Sequence, residues 1–307
     1  MKISYKEYAK KVYQKFIAED IMSNAAQVAF YFIFALFPLL LFLLNVVGLF
    51  LDAAVDVKQE LFVYLQQVMP AAAITLVRDT VAEITQEGGG GKLTFGILIA
   101  LWSASAGVDS LRIALNDIYN LEETRSWFKY KLTSVLLTLG IALLIFFALG
   151  IVFFGGQFIN LVLSPLGIEI TSYFILTAFS IIVVGIALVL AFALLYNFAP
   201  NHAPFSWHWI TPGAITAIIL WIVLSLGFRV YLSFFDSYSK TYGSVGAIII
   251  LLLWLYLTAM VILIGGVVNA VGEELQKGEE VGDGEESEKT EESEEKSEED
   301  EDGNEEE

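Results

Sequence analysis

The 307-residue chain has no cysteine, which excludes disulfides, thiolate catalysis, iron–sulfur clusters and cysteine-ligated zinc. It has two histidines, His202 and His208, in a short segment without an adjacent carboxylate, so no metal site is expected. No glycine-rich loop has the spacing that cradles nucleotide phosphates. Gly88–Gly91 runs into Lys92-Leu93-Thr94 without it, so neither ATP hydrolysis nor a cofactor is expected. Charge is scarce at 17%, against about 25% in ordinary soluble proteins. It is also unevenly placed. Residues 273–307 hold 20 acidic and 3 basic side chains, leaving 15 acidic and 14 basic in residues 1–272. Of the net charge of −18, all but one unit therefore belongs to a tail. A nucleic-acid partner is not expected, because the body lacks the positive surface that displaces phosphate counterions.

What is abundant is apolar surface. Hydrophobic residues make up 56% of the chain, and the mean hydropathy is +0.66. A bilayer core about 30 Å thick needs about 20 mostly apolar helical residues. Six stretches meet this: Ala25–Leu51, Leu93–Leu115, Leu132–Phe154, Tyr173–Ala199, Thr211–Phe235 and Gly243–Val271. Backbone groups in lipid must bond within their own segment, and continuous apolar runs do not fit the alternation of a barrel strand. The expected fold is an all-α integral membrane protein with six transmembrane helices in residues 21–272. No cleavable leader pattern precedes the first span.

Lys and Arg set the expected orientation. Lys2, Lys6, Lys10, Lys11, Lys15, Arg125, Lys129 and Lys131 fall on one side, against Lys58, Arg78, Lys92 and Lys240 on the other. Both termini are therefore expected in the cytoplasm, with the protein in the cytoplasmic membrane.

Residues 1–20 form an amphipathic helix. Tyr5, Tyr8, Val12, Tyr13 and Phe16 recur at helical spacing, with lysines mostly off that stripe. Two arrangements fit: a helix lying on anionic lipid, or one packed against the bundle. Residues 52–92 read as two short amphipathic helices split by Pro70, acting as a movable lid or a passive linker. Trp207 and Trp209 are spaced as interface anchors, and Thr211-Pro212-Gly213 supplies a helix cap and a first-turn proline. The tail, residues 273–307, has too little apolar content to order itself and is expected to be disordered.

Polar residues inside spans are costly and face the bundle interior. In the second span Trp102, Ser105, Asp109, Arg112 and Asn116 follow steps of three and four, so they share one face. Asp109 and Arg112 are close enough in sequence to pair. In the first span Gln27, Tyr31, Phe34, Pro38 and Asn45 form a second stripe, and Pro38 removes a helical hydrogen bond. These two stripes supply the candidate substrate pathway, with Asp109, Arg112 and Asn116 lining an internal polar cavity beside Gln27 and Tyr31. A structural polar seam fits the second span equally well. Asn197, Arg229 and Asn269 are further intramembrane polar candidates.

Several ordered blocks carry a resemblance. These are Asn24-Ala25-Ala26-Gln27-Val28-Ala29-Phe30-Tyr31 with Phe37-Pro38-Leu39-Leu40; Trp102-Ser103-Ala104-Ser105 with Leu111, Asn116 and Tyr119; Pro212-Gly213-Ala214 with Trp221; and Tyr242-Gly243-Ser244-Val245-Gly246-Ala247 with Leu253-Trp254-Leu255-Tyr256. Over Ala25–Val271 the chain resembles the YihY/BrkB family of bacterial and archaeal inner-membrane proteins. The resemblance implies a six-helix protein of the cytoplasmic membrane. Some members carry a ribonuclease BN label, but this sequence offers neither a metal-ligand cluster nor a basic RNA-binding surface. The expected function is transport or export, without ATP, of a lipid-linked or amphipathic envelope component, with membrane lipids as partners. The alternative is a structural or scaffolding protein of the envelope.

Overall fold

A computed structural model describes residues 5–50, 90–163, 173–202, 207–233, 246 and 248–276. Segment 52–92, apart from its last three residues, and the tail beyond residue 276 lie outside the described residues. Among the described residues the chain is all helical: α1 (Tyr5–Ala18), α2 (Ile21–Phe50), α3 (Gly90–Ile118), α4 (Trp127–Leu163), α5 (Tyr173–Phe198), α6 (Pro212–Ser233) and α7 (Ile248–Gln276).

Five of these, α3 to α7, are long and apolar enough to cross a membrane. The sixth expected span lies on α2, a 30-residue helix with an apolar stretch at Ile21–Leu36. Pro38 sits inside α2 without ending it. Large apolar side chains on the outer helices stand open, among them Ile181, Val223 and Leu226. In water such a surface is an aggregation hazard, whereas in a bilayer it faces hydrocarbon.

Helix α3 is different. It is the least apolar of the five spans, and 61% of its Leu98–Ile118 window is buried within the chain, against 6% to 22% for α4 to α7. It packs along α2 on one side and α4 on another. The physical reason is its polar stripe: the helix least soluble in lipid takes the centre of the bundle. Around it Val28, Leu111, Leu115, Leu195, Ala217, Leu263 and Val267 form the main core.

α1 docks on the bundle, as one of the two expected arrangements has it. The Tyr8 hydroxyl donates to the Val268 carbonyl at 2.6 Å. Val12 and Phe16 pack on the core, and Lys15 pairs with Glu274. Lys6, Lys10 and Lys11 stay exposed. α1 and the C-terminal turns of α7 thus lie at the same end of the bundle, as an even number of spans requires.

Two helix ends use left-handed residues. Asp20 (φ 43°) follows α1, and Asn120 (φ 53°) follows α3. Asn and Asp tolerate this region better than most side chains. At Asn120 the turn closes with Leu121 N–H on the Asn116 carbonyl at 2.8 Å and Asn120 N–H on the Asp117 carbonyl at 3.0 Å. This double bond pattern reverses the chain at the end of α3. It brings the following loop back under Arg112 and Asn116.

Candidate functional site

Arg112 is the hub of the buried polar face. Its side chain is fully buried. Nε donates to the Ala199 carbonyl at 3.3 Å, and Nη1 donates to the Tyr130 carbonyl at 2.5 Å and to Ser134 Oγ at 2.6 Å. Nη2 reaches Glu123 Oε2 at 3.4 Å, and the guanidinium lies 4.0 Å from the Tyr130 ring centroid. A cation so deep is tolerated only when hydrogen bonds replace its water.

Glu123 joins this hub to the loop. Its Oε1 accepts from Arg125 Nε at 2.6 Å, and its Oε2 accepts from Asn116 Nδ2 at 3.2 Å. Arg125 also donates to the carbonyls of Phe198 and Ala199 at 3.4 and 3.2 Å. The last carbonyls of a helix have no partner within it and carry its negative dipole end. Two arginines therefore cap α5. Asn116 Oδ1 accepts the Asn201 N–H at 2.8 Å, and Asn201 Nδ2 donates to the Glu122 carbonyl at 2.8 Å. Burial alone would push the Glu123 carboxyl up, but hydrogen bonds from Arg125 and the charges of Arg125 and Arg112 hold it below its ordinary value.

The expected Asp109–Arg112 pair is corrected. Asp109 Oδ2 accepts from Lys131 Nζ at 2.6 Å, while Arg112 takes Glu123. Successive helix turns bring two side chains near each other, yet each found a better-placed opposite charge on another segment. Lys131 also lies 4.9 Å from the Trp102 ring, and Trp102 meets Trp127 with ring centroids 6.0 Å apart.

A separate cleft opens where α3, α5 and α7 end and α6 begins. Its volume is about 370 Å³, within the size range of ligand pockets. Tyr119, Asn197, His202, His208, Asn269 and Glu273 are among its lining residues. Tyr119 meets His202 edge-on, with centroids 4.8 Å apart. His202 Nδ1 is 4.0 Å from Glu273 Oε2. Burial, and then the charge of Glu273, push the Tyr119 phenol well above its ordinary value, so it stays neutral. Asn197 Nδ2 donates to the His208 carbonyl, and its Oδ1 accepts the His208 N–H, both at 2.8 Å.

Asn269 builds the floor. Its Oδ1 accepts the Gly213 N–H at 2.7 Å, and its Nδ2 donates to Thr211 Oγ1 at 2.9 Å. Thr211 Oγ1 in turn accepts the Ala214 N–H at 3.1 Å, so the expected cap and first-turn proline of α6 are both in place. Gly213 and Gly265 let α6 and α7 meet backbone to backbone. A Cβ on Gly265 would strike the Tyr196 hydroxyl and come within 2.7 Å of the Gly213 carbonyl.

Of the expected pathway residues, Ser105, Arg112 and Asn116 are buried, and Asp109 is partly buried. Arg112 and Asn116 form the braced junction, Asp109 pairs with Lys131, and Ser105 donates to the Trp102 carbonyl of its own helix at 2.6 Å; none of the four is among the cleft's lining residues. Trp102 is 48% exposed. Gln27 and Tyr31 do share a face, but it is the exposed face of α2, not one turned toward Asp109. Asn45 lies within α2, and its side chain is outside the described residues. Of the further candidates, Asn197 and Asn269 are buried and Arg229 is exposed. Sequence reasoning missed Glu123, Lys131, Ser134 and Asn201, which reach the junction only through tertiary contacts. It also missed Tyr119 and Glu273. Among the described residues no cluster of His, Asp and Glu is arranged to hold a metal ion.

The profile of the family described as virulence factor BrkB matches residues 12–291. The chain is 34% identical over 270 residues to YfkH of Bacillus subtilis, whose name carries the words "ribonuclease-like"; the match covers 88% of this chain and 96% of that protein. It is 34% identical over 167 residues to a UPF0761 membrane protein of Pseudoalteromonas translucida, covering 52% of this chain and 54% of the relative. No solved structure matches. With the family profile spanning most of the chain, and multiple apolar helices built around a buried polar one, this multi-pass membrane protein belongs to the virulence factor BrkB family.

Proposed function

We propose that the protein moves a lipid-linked or amphipathic envelope component across the cytoplasmic membrane without ATP, and that it is not an enzyme. The observation that carries this reading is the cleft of about 370 Å³ at one end of the bundle. Pro212 lines it, and Ile215 and Ile219, in the next two turns of the same helix, are open to lipid. A pocket that sets several polar groups in a largely apolar lining, beside exposed apolar side chains, suits a molecule with a polar head and an apolar tail. The Lys and Arg balance puts this end, with α1 and the end of α7, in the cytoplasm. The cleft is then the entry site for the head group. The pathway onward along α3, past Trp102, Ser105, Asp109, Arg112 and Asn116, belongs to the same proposal.

One observation favours a scaffolding role instead. Arg112 is saturated with internal hydrogen bonds, as a structural brace would be. Purified protein in liposomes, assayed for movement of labelled lipids and amphiphiles, separates the two. Movement above protein-free vesicles supports transport. A folded protein that moves none of them supports the scaffold.

A further inference from the structure

The cleft has an unusual charge inventory. Among the described residues that line it none is Lys or Arg, and the one carboxylate is Glu273, with His202 Nδ1 at 4.0 Å. Asn197 spends both Nδ2 hydrogens on the Ala193 and His208 carbonyls, and Asn269 spends one on Thr211. Each amide oxygen takes one backbone N–H and keeps a second lone pair. The walls therefore mix acceptors with neutral donors: amide oxygens and the Glu273 carboxylate stand beside the imidazoles of His202 and His208, the Gln276 amide and the Tyr119 hydroxyl. The Tyr119 and Tyr196 rings add apolar faces.

Such a wall is wrong for a phosphate. A charged phosphate asks for Lys or Arg, and the Glu273 carboxylate repels it. The N–H groups of Gly213 and Ala214, which would have been donors at the start of α6, are taken by Asn269 and Thr211. A permanent cation fits less well too, because His202 already faces the one carboxylate. Hydroxyl groups fit: each both donates and accepts, as the uncharged polar groups of this wall do, and ring carbons pack on tyrosine faces.

Resting on the reading of this cleft as the head-group pocket, we infer that its ligand carries a neutral, hydroxyl-rich head group of the sugar or polyol class. Gln276 at the rim and Glu273 contact its hydroxyls.

The test uses the full chain in phosphatidylcholine nanodiscs. Octyl β-glucoside, octyl phosphate and octylammonium are titrated below their micelle concentrations, and binding is read by calorimetry. The expected result is glucoside binding at least tenfold tighter than that of the other two. Glu273→Gln and Gln276→Ala should each weaken it at least threefold, with melting temperatures near wild type. Equal or tighter binding of octyl phosphate or octylammonium overturns the inference, as does no binding of the glucoside. Vesicle transport without glucoside binding sinks this head-group class and leaves the transport reading standing. Glucoside binding without transport does the reverse.

Discussion

Asn269 Oδ1 accepts the backbone N–H of Gly213 at 2.7 Å, so a side chain of α7 caps the first turn of α6 from 56 residues away. The same amide ties down Thr211, the local cap. This one side chain fixes the angle at which two spans leave the cleft.

Asn269→Ala strips that cap and leaves a buried N–H without a partner. Such a loss costs about 1–3 kcal/mol. Asn269→Asp keeps the acceptor for Gly213 but loses the donor to Thr211, so it should fall between alanine and wild type. Thermal unfolding of the detergent-purified variants gives the order. Equal stability of all three would show that the cap contributes nothing.

Gly265→Ala should destabilise by about 1–3 kcal/mol, because its Cβ meets backbone and the Tyr196 hydroxyl, neither of which can swing aside. Gly185→Ala is the control. Nothing lies within 4 Å of its Cβ position, so alanine there should be neutral or stabilise by up to about 1 kcal/mol through helix propensity. Matching melting temperatures for the two variants would contradict the close contact of α6 and α7.

Arg112→Met removes the donor that several buried acceptors share and should cost about 3–5 kcal/mol. Arg112→Lys should recover only part of this, since one ammonium cannot span the Ala199, Tyr130 and Ser134 acceptors together. Chemical denaturation in mixed micelles reads both. A lysine variant as stable as wild type would mean that charge alone, and not the fork of donors, braces the junction.

Glu123 gives the junction a pH dependence with a definite sign. Its folded carboxyl is held below its ordinary value of 4.5. Its contribution is therefore complete above that value and is lost as pH falls through the folded value. Wild type should lose its stability advantage over Glu123→Gln as pH drops from about 6 toward about 3, the range that brackets carboxylate titration. A constant difference across that range would rule out this source of acid sensitivity.

The sequence made the spans legible because apolar length is a local property. It also placed Ser105, Arg112 and Asn116 on one buried face, since 3.6 residues per turn fixes that spacing. The cap at Thr211 and Pro212 was legible for the same reason. The partners were not. Glu123 reaches Arg112 only because Asn120 turns the chain back, and Lys131 meets Asp109 only because α4 crosses α3. Asn269 was visible as a polar residue in a span, but its bond to Gly213 depends on how two helices pack. The stripe of Gln27 and Tyr31 shows the limit of periodicity, which finds a face without telling which way it points.

Passage of an amphipathic molecule from the cleft to the other leaflet can be read in proteoliposomes carrying labelled glycolipid and phospholipid. Wild type is compared with Gly272→Leu. Gly272 lines the cleft, and the nearest atom to its Cβ position is the Tyr8 hydroxyl at 3.7 Å, so a Cβ there meets no backbone. Wild type should speed movement of one labelled amphiphile at least tenfold over protein-free vesicles, and Gly272→Leu should abolish most of that gain while melting as wild type does. Folded wild-type protein that moves neither label, or a Gly272→Leu variant that moves it at the full rate, would contradict passage through the cleft.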